Sequence, residues 1–155
     1  MTDHLRIIFV CSGNICRSPM AESLAKHILD ERGQPAVVIS AGTLGLVGRK
    51  PASFARSALQ EIDVEPPETR SQGISPALME HAEYIAVMEP KHEEAVVERA
   101  PALEEKIVRL WDYAEADLEG IDDPVGENLE SFRQTRELLY ECLTNWFDRL
   151  LDTEQ

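Results

Sequence analysis

The sequence predicts an α/β fold of three layers, in which helices cover a central four-stranded parallel sheet. Short apolar segments rich in β-branched residues alternate with longer segments of helical periodicity, as in sheets built from βαβ units. The predicted strands are almost continuously apolar, which is typical of strands buried on both faces. A glycine-containing loop joins the first strand to the first helix, and open α/β sheets bind ligands at such loops.

Each element follows from a local pattern. Four short apolar segments predict strands at residues 5–10, 36–40, 84–88 and 106–110. Apolar spacings of three and four, with opening prolines or caps, predict the helices. The helices are predicted from about Pro19 to Gly33, at 51–62, at 76–79, from 90 onward and at 128–151. The expected buried face of the second helix consists of Phe54, Ala58, Leu59 and Ile62.

Composition predicts one domain covering residues 1–155, with 43% hydrophobic residues. No apolar segment is long enough to span a bilayer, and a signal-peptide pattern is absent, so membrane insertion is not expected. Three cysteines are an odd number, and two lie in one loop, which favours a reducing cytoplasm. The formal net charge of −14 argues against a nucleic-acid or anionic-membrane binder, because a polyanion would be repelled.

The loop at residues 11–18 has the residue types of an anion site with a nucleophile at its base. Unpaired N–H groups and the dipole at a helix N-terminus favour an anion. Arg17 offers two parallel donors to two oxygens of one tetrahedral oxyanion. Cys11 would lie beneath that anion, where the N–H dipoles and Arg17 favour thiolate over thiol. Gly13 permits close approach of the backbone, and Asn14 tolerates a left-handed conformation.

These residues carry a family resemblance. The stretch Cys-Ser-Gly-Asn-Ile-Cys-Arg-Ser-Pro at 11–19 resembles the signature of the low-molecular-weight protein tyrosine phosphatases. Further segments resemble family landmarks in family order: Ser40-Ala41-Gly42-Thr43, Gly48-Arg49-Lys50-Pro51, Tyr84-Ile85-Ala86-Val87-Met88-Glu89 and Asp123-Pro124. The likeness covers almost the whole chain. It implies a phosphate-binding loop between the first strand and first helix, a phosphorylated protein as substrate and inorganic phosphate as product.

The Asp-Asp-Pro turn at residues 122–124 is the candidate source of a general acid. Cleavage of a phosphate ester leaves an alkoxide that a nearby carboxylic acid can protonate. A plain Asp-Pro turn is the structural alternative. The resemblance implies Asp123, rather than Asp122, as the acid. We therefore expect a two-step reaction through a cysteinyl-phosphate on Cys11, with Arg17 holding the phosphoryl oxygens and no metal or organic cofactor.

The other loop residues are expected to support the phosphate site. The resemblance implies that Ser18 steadies the Cys11 thiolate and that Asn14 and Ser40 brace the loop by hydrogen bonds. Cys16 either packs in the interior or captures an oxidised Cys11 as a reversible disulfide. The expected supporting set is Ser12, Gly13, Asn14, Ile15, Cys16, Ser18 and Ser40.

The sequence departs from the family pattern in two places. Relatives often have a histidine in a His-x-x-Arg-Gln-like stretch, whereas residues 68–72 here read Glu-Thr-Arg-Ser-Gln, so the supporting network must be built differently. Relatives selective for phosphotyrosine have aromatic residues flanking the cleft. The aliphatic residues in those regions here are Leu44, Leu46, Val47 and Val125. Phosphotyrosine is therefore expected to bind weakly, without the help of aromatic stacking.

The four histidines have no metal-ligand spacing, and no metal site is predicted. They are expected to be mostly solvated or structural: His4, His27, His81 and His92.

Several functions are compatible with such a loop. A protein tyrosine phosphatase is the preferred interpretation, and a protein-arginine phosphatase of the same fold is the alternative. Relatives of the arginine type resemble one another in a threonine at the position of Ile15, so we expect a preference for phosphotyrosine. An arsenate reductase needs further cysteines, and only Cys142, expected in the core, lies outside the loop. A non-catalytic phosphate-binding module has no need of both a thiolate and an acid.

Overall fold

The computed structural model describes residues 4–153 and has a four-stranded, all-parallel sheet at its centre, in the order β2-β1-β3-β4. The strands are β1 Leu5–Cys11, β2 Ala36–Gly42, β3 Tyr84–Val87 and β4 Ile107–Arg109. The α-helices are α1 Arg17–Glu31, α2 Ser53–Gln60, α3 Pro76–Glu80, α4 Pro90–Arg99 and α5 Leu129–Thr153. Short 3₁₀ helices precede and follow β4, at Pro101–Lys106 and Leu110–Tyr113. The predicted fold class, a four-stranded parallel sheet covered by helices, is confirmed.

The core forms around β1, because this strand lies between β2 and β3 and is covered by helices. Residues 7–10 of β1 are at most 1% exposed. Helices α1, α2 and α5 pack against one another, and α4 packs beside β3 and β4. Trp146 of α5 stands edge-on to Phe9, with ring centroids 6.5 Å apart. Within residues 4–153, no helix combines the length and apolar character needed to cross a membrane.

The predicted buried face of the second helix is wrong for Phe54. Helix α2 begins only at Ser53, and Phe54 in its first turn is 41% exposed. One edge of its ring meets Phe132 of α5 at 5.7 Å between centroids, which leaves the rest of the ring open. The buried residues of α2 are Ala55, Ala58 and Leu59.

The order of the strands positions the site. Because β1 has a neighbour on each side, the loops after β2 and β3 flank the loop after β1 at the carboxyl edge of the sheet. The end of β2 comes very close to that loop: a Cβ atom on Gly42 would lie 2.5 Å from the carbonyl oxygen of Ser12. Only glycine fits at this position without displacing backbone.

Candidate active site

Residues 11–18 form a turn that we call the cradle. Cys11 ends β1 and Arg17 begins α1. Asn14 takes the left-handed conformation that the sequence permits, with φ of 58°. Neighbouring segments hold the cradle by its carbonyl oxygens, among them that of Cys11, which accepts from Thr43 N at 2.9 Å. Among residues 4–153, no hydrogen bond involves the N–H groups of residues 12–16, which therefore remain available to an anion.

A hydrogen-bond network joins the nucleophile candidate to its predicted supports. The Cys11 Sγ atom lies 2.9 Å from Ser18 Oγ. Ser18 Oγ accepts from Asn14 Nδ2 at 2.8 Å, so its own hydroxyl hydrogen can point to the sulfur. Asn14 Nδ2 also donates to Ser40 Oγ at 2.9 Å, and Asn14 Oδ1 accepts from Gln72 N at 3.0 Å. The structure thus joins Cys11 to all three residues expected to stabilise the thiolate or brace the loop: Asn14, Ser18 and Ser40.

Glu22 extends this network and was missed by sequence reasoning. Its side chain is 1% exposed, and its carboxylate accepts from Ser40 Oγ at 2.8 Å and from Lys26 Nζ at 2.9 Å. Gln72 Nε2 donates to the carbonyl oxygen of Ser40 at 3.1 Å. Lys26 and Gln72 therefore supply polar partners in a chain that lacks the family histidine. The available signal was the position of Glu22, on the face of α1 shared with Ser18.

Arg17 lies almost fully buried in the cradle, at 1% exposure. Its Nη1 atom donates to the Glu89 carboxylate and to the carbonyl oxygen of Ile121. Its Nη2 atom lies 3.3 Å from Asp123 Oδ2. Its Nε atom is buried and has no hydrogen-bond partner within residues 4–153. A buried N–H group of this kind is costly unless a ligand accepts its hydrogen bond.

Glu89 orients Arg17 from the end of β3, and sequence reasoning did not identify this role. Burial on its own raises the pKa of the Glu89 carboxyl, but the hydrogen bond and charge of Arg17 outweigh it. The charges of Lys91 and His92 act in the same direction as Arg17, and together these interactions hold the pKa of Glu89 below its usual value. A detectable signal existed, because Glu89 directly follows a strand at the ligand-binding edge of the sheet.

His92 was expected to be solvated or structural, and the structure buries it at the side of the cradle. It is 0% exposed, and its Nε2 atom lies 2.9 Å from Ser12 Oγ. Burial and the charges of Arg17 and Lys91 lower its pKa to about 4, against the opposing effect of Glu89. The imidazole is therefore neutral at neutral pH. No feature of the sequence distinguished it from the other histidines.

The 122–124 turn presents Asp123, and not Asp122, to the cradle. Asp123 Oδ1 accepts from Val125 N at 3.1 Å, as in an Asx turn, while Oδ2 lies near Arg17. The side chain remains 31% exposed, whereas Asp122 is exposed. Asp123 therefore shapes the turn and also approaches the guanidinium of Arg17, while its role as general acid stays a prediction.

Cys16 is buried in the cradle, with 3% exposure. Burial, together with the negative charges of Asp123 and Cys11, raises the pKa of its thiol to about 12, in spite of Arg17. A thiol this weakly acidic is a poor nucleophile at neutral pH. Packing and disulfide capture of an oxidised Cys11 both stay predictions for this residue.

The rim of the site, which we define as residues 43–50 and 124–127, presents exposed aliphatic side chains. The exposed rim side chains are Leu44, Val47 and Val125. Half-buried Leu46 stands closer to the cradle: its Cδ1 atom lies 3.7 Å from the position of a Cβ on Gly13, which Ile15 of the cradle approaches to 3.6 Å. The four residues named from the sequence as walls therefore divide into one inner residue, Leu46, and three outer ones.

The geometry agrees with an independent comparison. Residues 6–155 match the family model described as low molecular weight phosphotyrosine protein phosphatase. The chain belongs to this family. The predicted family and the predicted enzyme class, cysteine-dependent phosphatases, are thereby confirmed.

Relatives within the family are named for two activities. A protein-arginine-phosphatase of Bacillus subtilis strain 168 is 34% identical over 88% of this chain and 91% of its own length. A probable low molecular weight protein-tyrosine-phosphatase, EpsP, of Ralstonia nicotianae is 32% identical over 93% and 94%.

Solved structures of both kinds of phosphatase also resemble this chain. A low molecular weight phosphotyrosine phosphatase of Vibrio cholerae O395 superposes with a TM-score of 0.90, at 25% identity over 96% of this chain and 98% of that one. The arginine phosphatase YwlE, as a cysteine-to-serine mutant with a phosphorylated active-site serine, superposes with a TM-score of 0.88. It is 32% identical over 94% and 95% of the two chains.

Proposed function

We propose that this family member is a metal-independent protein tyrosine phosphatase that uses Cys11 as nucleophile. The observation that carries the proposal is Arg17: a buried guanidinium in the cradle, whose Nη2 reaches Ser12 Oγ at 3.5 Å and whose unpartnered Nε an oxyanion would satisfy. The free N–H groups of residues 12–16 supply further donors around the same position. Together they form a preorganised site for a group with several equatorial oxygens.

In the first step, Cys11 attacks phosphorus in line. The cradle N–H groups and Arg17 hold the equatorial oxygens, whose charge they stabilise without reorganisation. The P–O bond to the tyrosine breaks as the S–P bond forms, and Asp123 donates a proton to the departing phenolate oxygen. Glu89 keeps Arg17 in position through its hydrogen bond to Nη1.

In the second step, Asp123, now a carboxylate, accepts a proton from water as that water attacks the cysteinyl-phosphate. The S–P bond breaks, and the thiolate leaves with the help of the Ser18 hydroxyl, 2.9 Å from the sulfur. Inorganic phosphate is the product. A covalent route is supported by the structure of the YwlE mutant, described as carrying a phosphorylated active-site serine.

Hydrolysis of phosphoarginine is the second candidate, and the B. subtilis relative named protein-arginine-phosphatase favours it. Ile15 argues for phosphotyrosine, because its branched alkyl side chain lies by the cradle and offers no polar contact to a guanidino group. The aliphatic rim can bury an aromatic ring but cannot stack on it, so we expect a high KM for phosphotyrosine.

Two measurements test these assignments. Hydrolysis of p-nitrophenyl phosphate in the presence of EDTA should proceed at the full rate, and dependence on an added metal would contradict the mechanism. Matched peptides with phosphotyrosine or phosphoarginine should give the higher kcat/KM for phosphotyrosine. Ile15→Thr should move this ratio towards phosphoarginine, while the control Ile15→Val, of nearly the same shape as threonine but without the hydroxyl, should not. A wild-type preference for phosphoarginine would overturn the substrate assignment.

The proposed setting is the cytoplasm, where a phosphorylated protein is the substrate. A thiolate nucleophile requires a reducing compartment, and Cys11, Cys16 and Cys142 are all unpaired thiols. Burial and the charge of Glu141 raise the pKa of Cys142 to about 12, as suits a core residue.

A further inference from the structure

Two segments beside the candidate active site differ in charge. The chain has 29 acidic and 15 basic residues. Residues 33–60 nevertheless contain no aspartate or glutamate, and neither do residues 69–79. Residues 110–132, in contrast, contain eight acidic residues and no lysine or arginine. Charges are thus sorted along the chain far more strongly than its overall composition requires.

The sheet places these segments on opposite sides of Cys11. Strands β2 and β3 flank β1, so the loop after β2 lies on one side of the cradle and residues 110–132, which follow β4, lie on the other. Arg99, at the end of α4, follows β3 but reaches the loop after β2, where it donates to the carbonyl oxygen of Thr43. On the first side, Thr43 N bonds to the Cys11 carbonyl oxygen. On the second, Arg17 bonds to the carbonyl oxygen of Ile121 and approaches Asp123. A phosphoryl group in the cradle therefore lies between a basic and an acidic surface.

The basic side comprises four exposed cations: Arg49, Lys50, Arg70 and Arg99. Arg70 donates to the carbonyl oxygen of Gly48 at 3.1 Å and Arg99 to that of Thr43 at 3.0 Å, which ties a charge to each end of the loop. Within residues 4–153, none of the four pairs with a carboxylate. Four arginines elsewhere pair with carboxylates: Arg32, Arg109, Arg133 and Arg136. The basic side thus keeps its charge available to a ligand.

The acidic side comprises three exposed carboxylates: Glu119, Asp122 and Glu127. Glu127 accepts a hydrogen bond from Ser131 Oγ at 3.2 Å, and in the part of the chain that the structure describes none of the three pairs with a cation. Asp123 is not counted here, because its carboxylate faces Arg17. The acidic side therefore also presents uncompensated charge next to the site.

We infer that the substrate is a protein segment with opposite charges on its two flanks, acidic residues lying over the basic side and basic residues over the acidic side. This inference rests on the proposed phosphatase function and concerns which phosphorylated segments the same site selects. Complementary charge sets the register of a bound segment and its rate of association more than it sets affinity. Exposed ion pairs are individually weak, so several together should change kcat/KM by about three- to tenfold.

Four phosphotyrosine peptides of equal length test the inference. Two mixed peptides have one acidic and one basic flank, one with the acidic flank before the phosphotyrosine and the other with it after. The third peptide is acidic on both flanks, and the fourth is basic on both. At low ionic strength, the better mixed peptide should exceed both uniform peptides in kcat/KM by about three- to tenfold, and molar salt should erase the difference. A uniform peptide that equals or exceeds both mixed peptides overturns the inference.

Charge reversal supplies the matched variants. The double variant Arg49→Glu, Lys50→Glu should abolish the preference for the mixed peptide, and so should Asp122→Lys, Glu127→Lys. The control for the basic side is Arg6→Glu, whose residue lies near the opposite end of β1, about 17 Å of strand from Cys11. The control for the acidic side is Glu31→Lys, at the far end of α1 from the cradle. Loss of the preference in these controls, or its retention in either double variant, contradicts the inference.

Activity towards p-nitrophenyl phosphate separates this inference from the proposed function. A wild-type protein that hydrolyses this flankless substrate but ranks the four peptides equally overturns only the charge inference. A wild-type protein inactive towards p-nitrophenyl phosphate and all four peptides overturns the proposed function, and the charge inference with it.

Discussion

The cradle and the rim of this site are neighbours with opposite physical properties. In the cradle, Asn14, Arg17 and Ser18 are at most 3% exposed, and their side chains hydrogen-bond one another or adjoining segments of the chain. In the rim, Leu44 and Val47 are 66% and 80% exposed. Buried polar groups need their partners, so the cradle admits few arrangements, whereas rim side chains can change at little cost to stability.

This difference separates chemistry from selectivity. The cradle supplies the donors and the proposed nucleophile, and Asp123 beside it the proposed acid, which any phosphate monoester could use. The rim supplies only aliphatic contacts and charges that depend on what surrounds the phosphate. Substitutions in the cradle should therefore affect all substrates and by large factors, while substitutions in the rim should affect particular substrates and by small ones.

The largest expected effect is at Cys11. Cys11→Ser should remove turnover, because a serine hydroxyl lacks the nucleophilicity of a thiolate at neutral pH. Binding of phosphate or vanadate should remain, since Arg17 and the cradle N–H groups are unchanged. Steady-state kinetics and calorimetric titration with phosphate measure the two properties. Activity above a hundredth of wild type would rule out Cys11 as the nucleophile.

A smaller but still large effect is expected at Asp123. Asp123→Asn should lower kcat by about 10²–10⁴ for substrates with poor leaving groups, and by less for p-nitrophenyl phosphate, whose leaving group needs no proton. Asp122→Asn is the matched control. Because the Asp122 carboxylate is exposed, this substitution should lower kcat much less. Rates plotted against leaving-group pKa for the three proteins provide the measurement. Equal losses of kcat in the two variants would show that Asp123 is not the general acid.

A third effect, on stability, is expected at His92. Between pH 6.5 and about 4 the unfolded chain binds a proton that buried His92 does not, so stability falls as pH decreases through this range. When the pH is lowered from about 7.5 to about 5, the free energy of unfolding measured with urea should decrease by about 2 kcal/mol more for wild type than for His92→Gln. His81→Gln, at an exposed histidine, is the control. Identical pH profiles for wild type and His92→Gln would contradict the burial of a neutral imidazole.

The smallest effect is expected in the rim. Val125→Tyr should lower KM for a phosphotyrosine peptide by about two- to tenfold, the equivalent of one aromatic pair, and leave kcat nearly unchanged. Val125→Leu tests whether added apolar area alone is sufficient. A decrease in KM of the same size for an aliphatic phosphate ester would show that ring stacking is not the cause.

The elements predicted from the sequence are those that depend on neighbouring residues. The four strands, the main helices and the cradle follow from apolar periodicity and from the residue types between Cys11 and Ser18, because strand, turn and helix N-terminus are adjacent along the chain. The left-handed Asn14 and the capping of α3 by Ser75, which accepts from Leu78 N, belong to the same group. Local backbone chemistry is sufficient for all of them.

Tertiary structure alone decided the partners that lie far apart in sequence. Ser12 meets His92 across 80 residues, Arg17 meets Glu89 across 72, and Asn14 meets the backbone of Gln72 across 58. These contacts arise because parallel strands gather their carboxyl ends at one edge, whichever residues happen to follow them. A single sequence shows which residues end each strand, but strand order determines which of those ends become neighbours. The shape of the cradle around Cys11 was therefore predictable, whereas the groups that orient Arg17 and contact Ser12 were not.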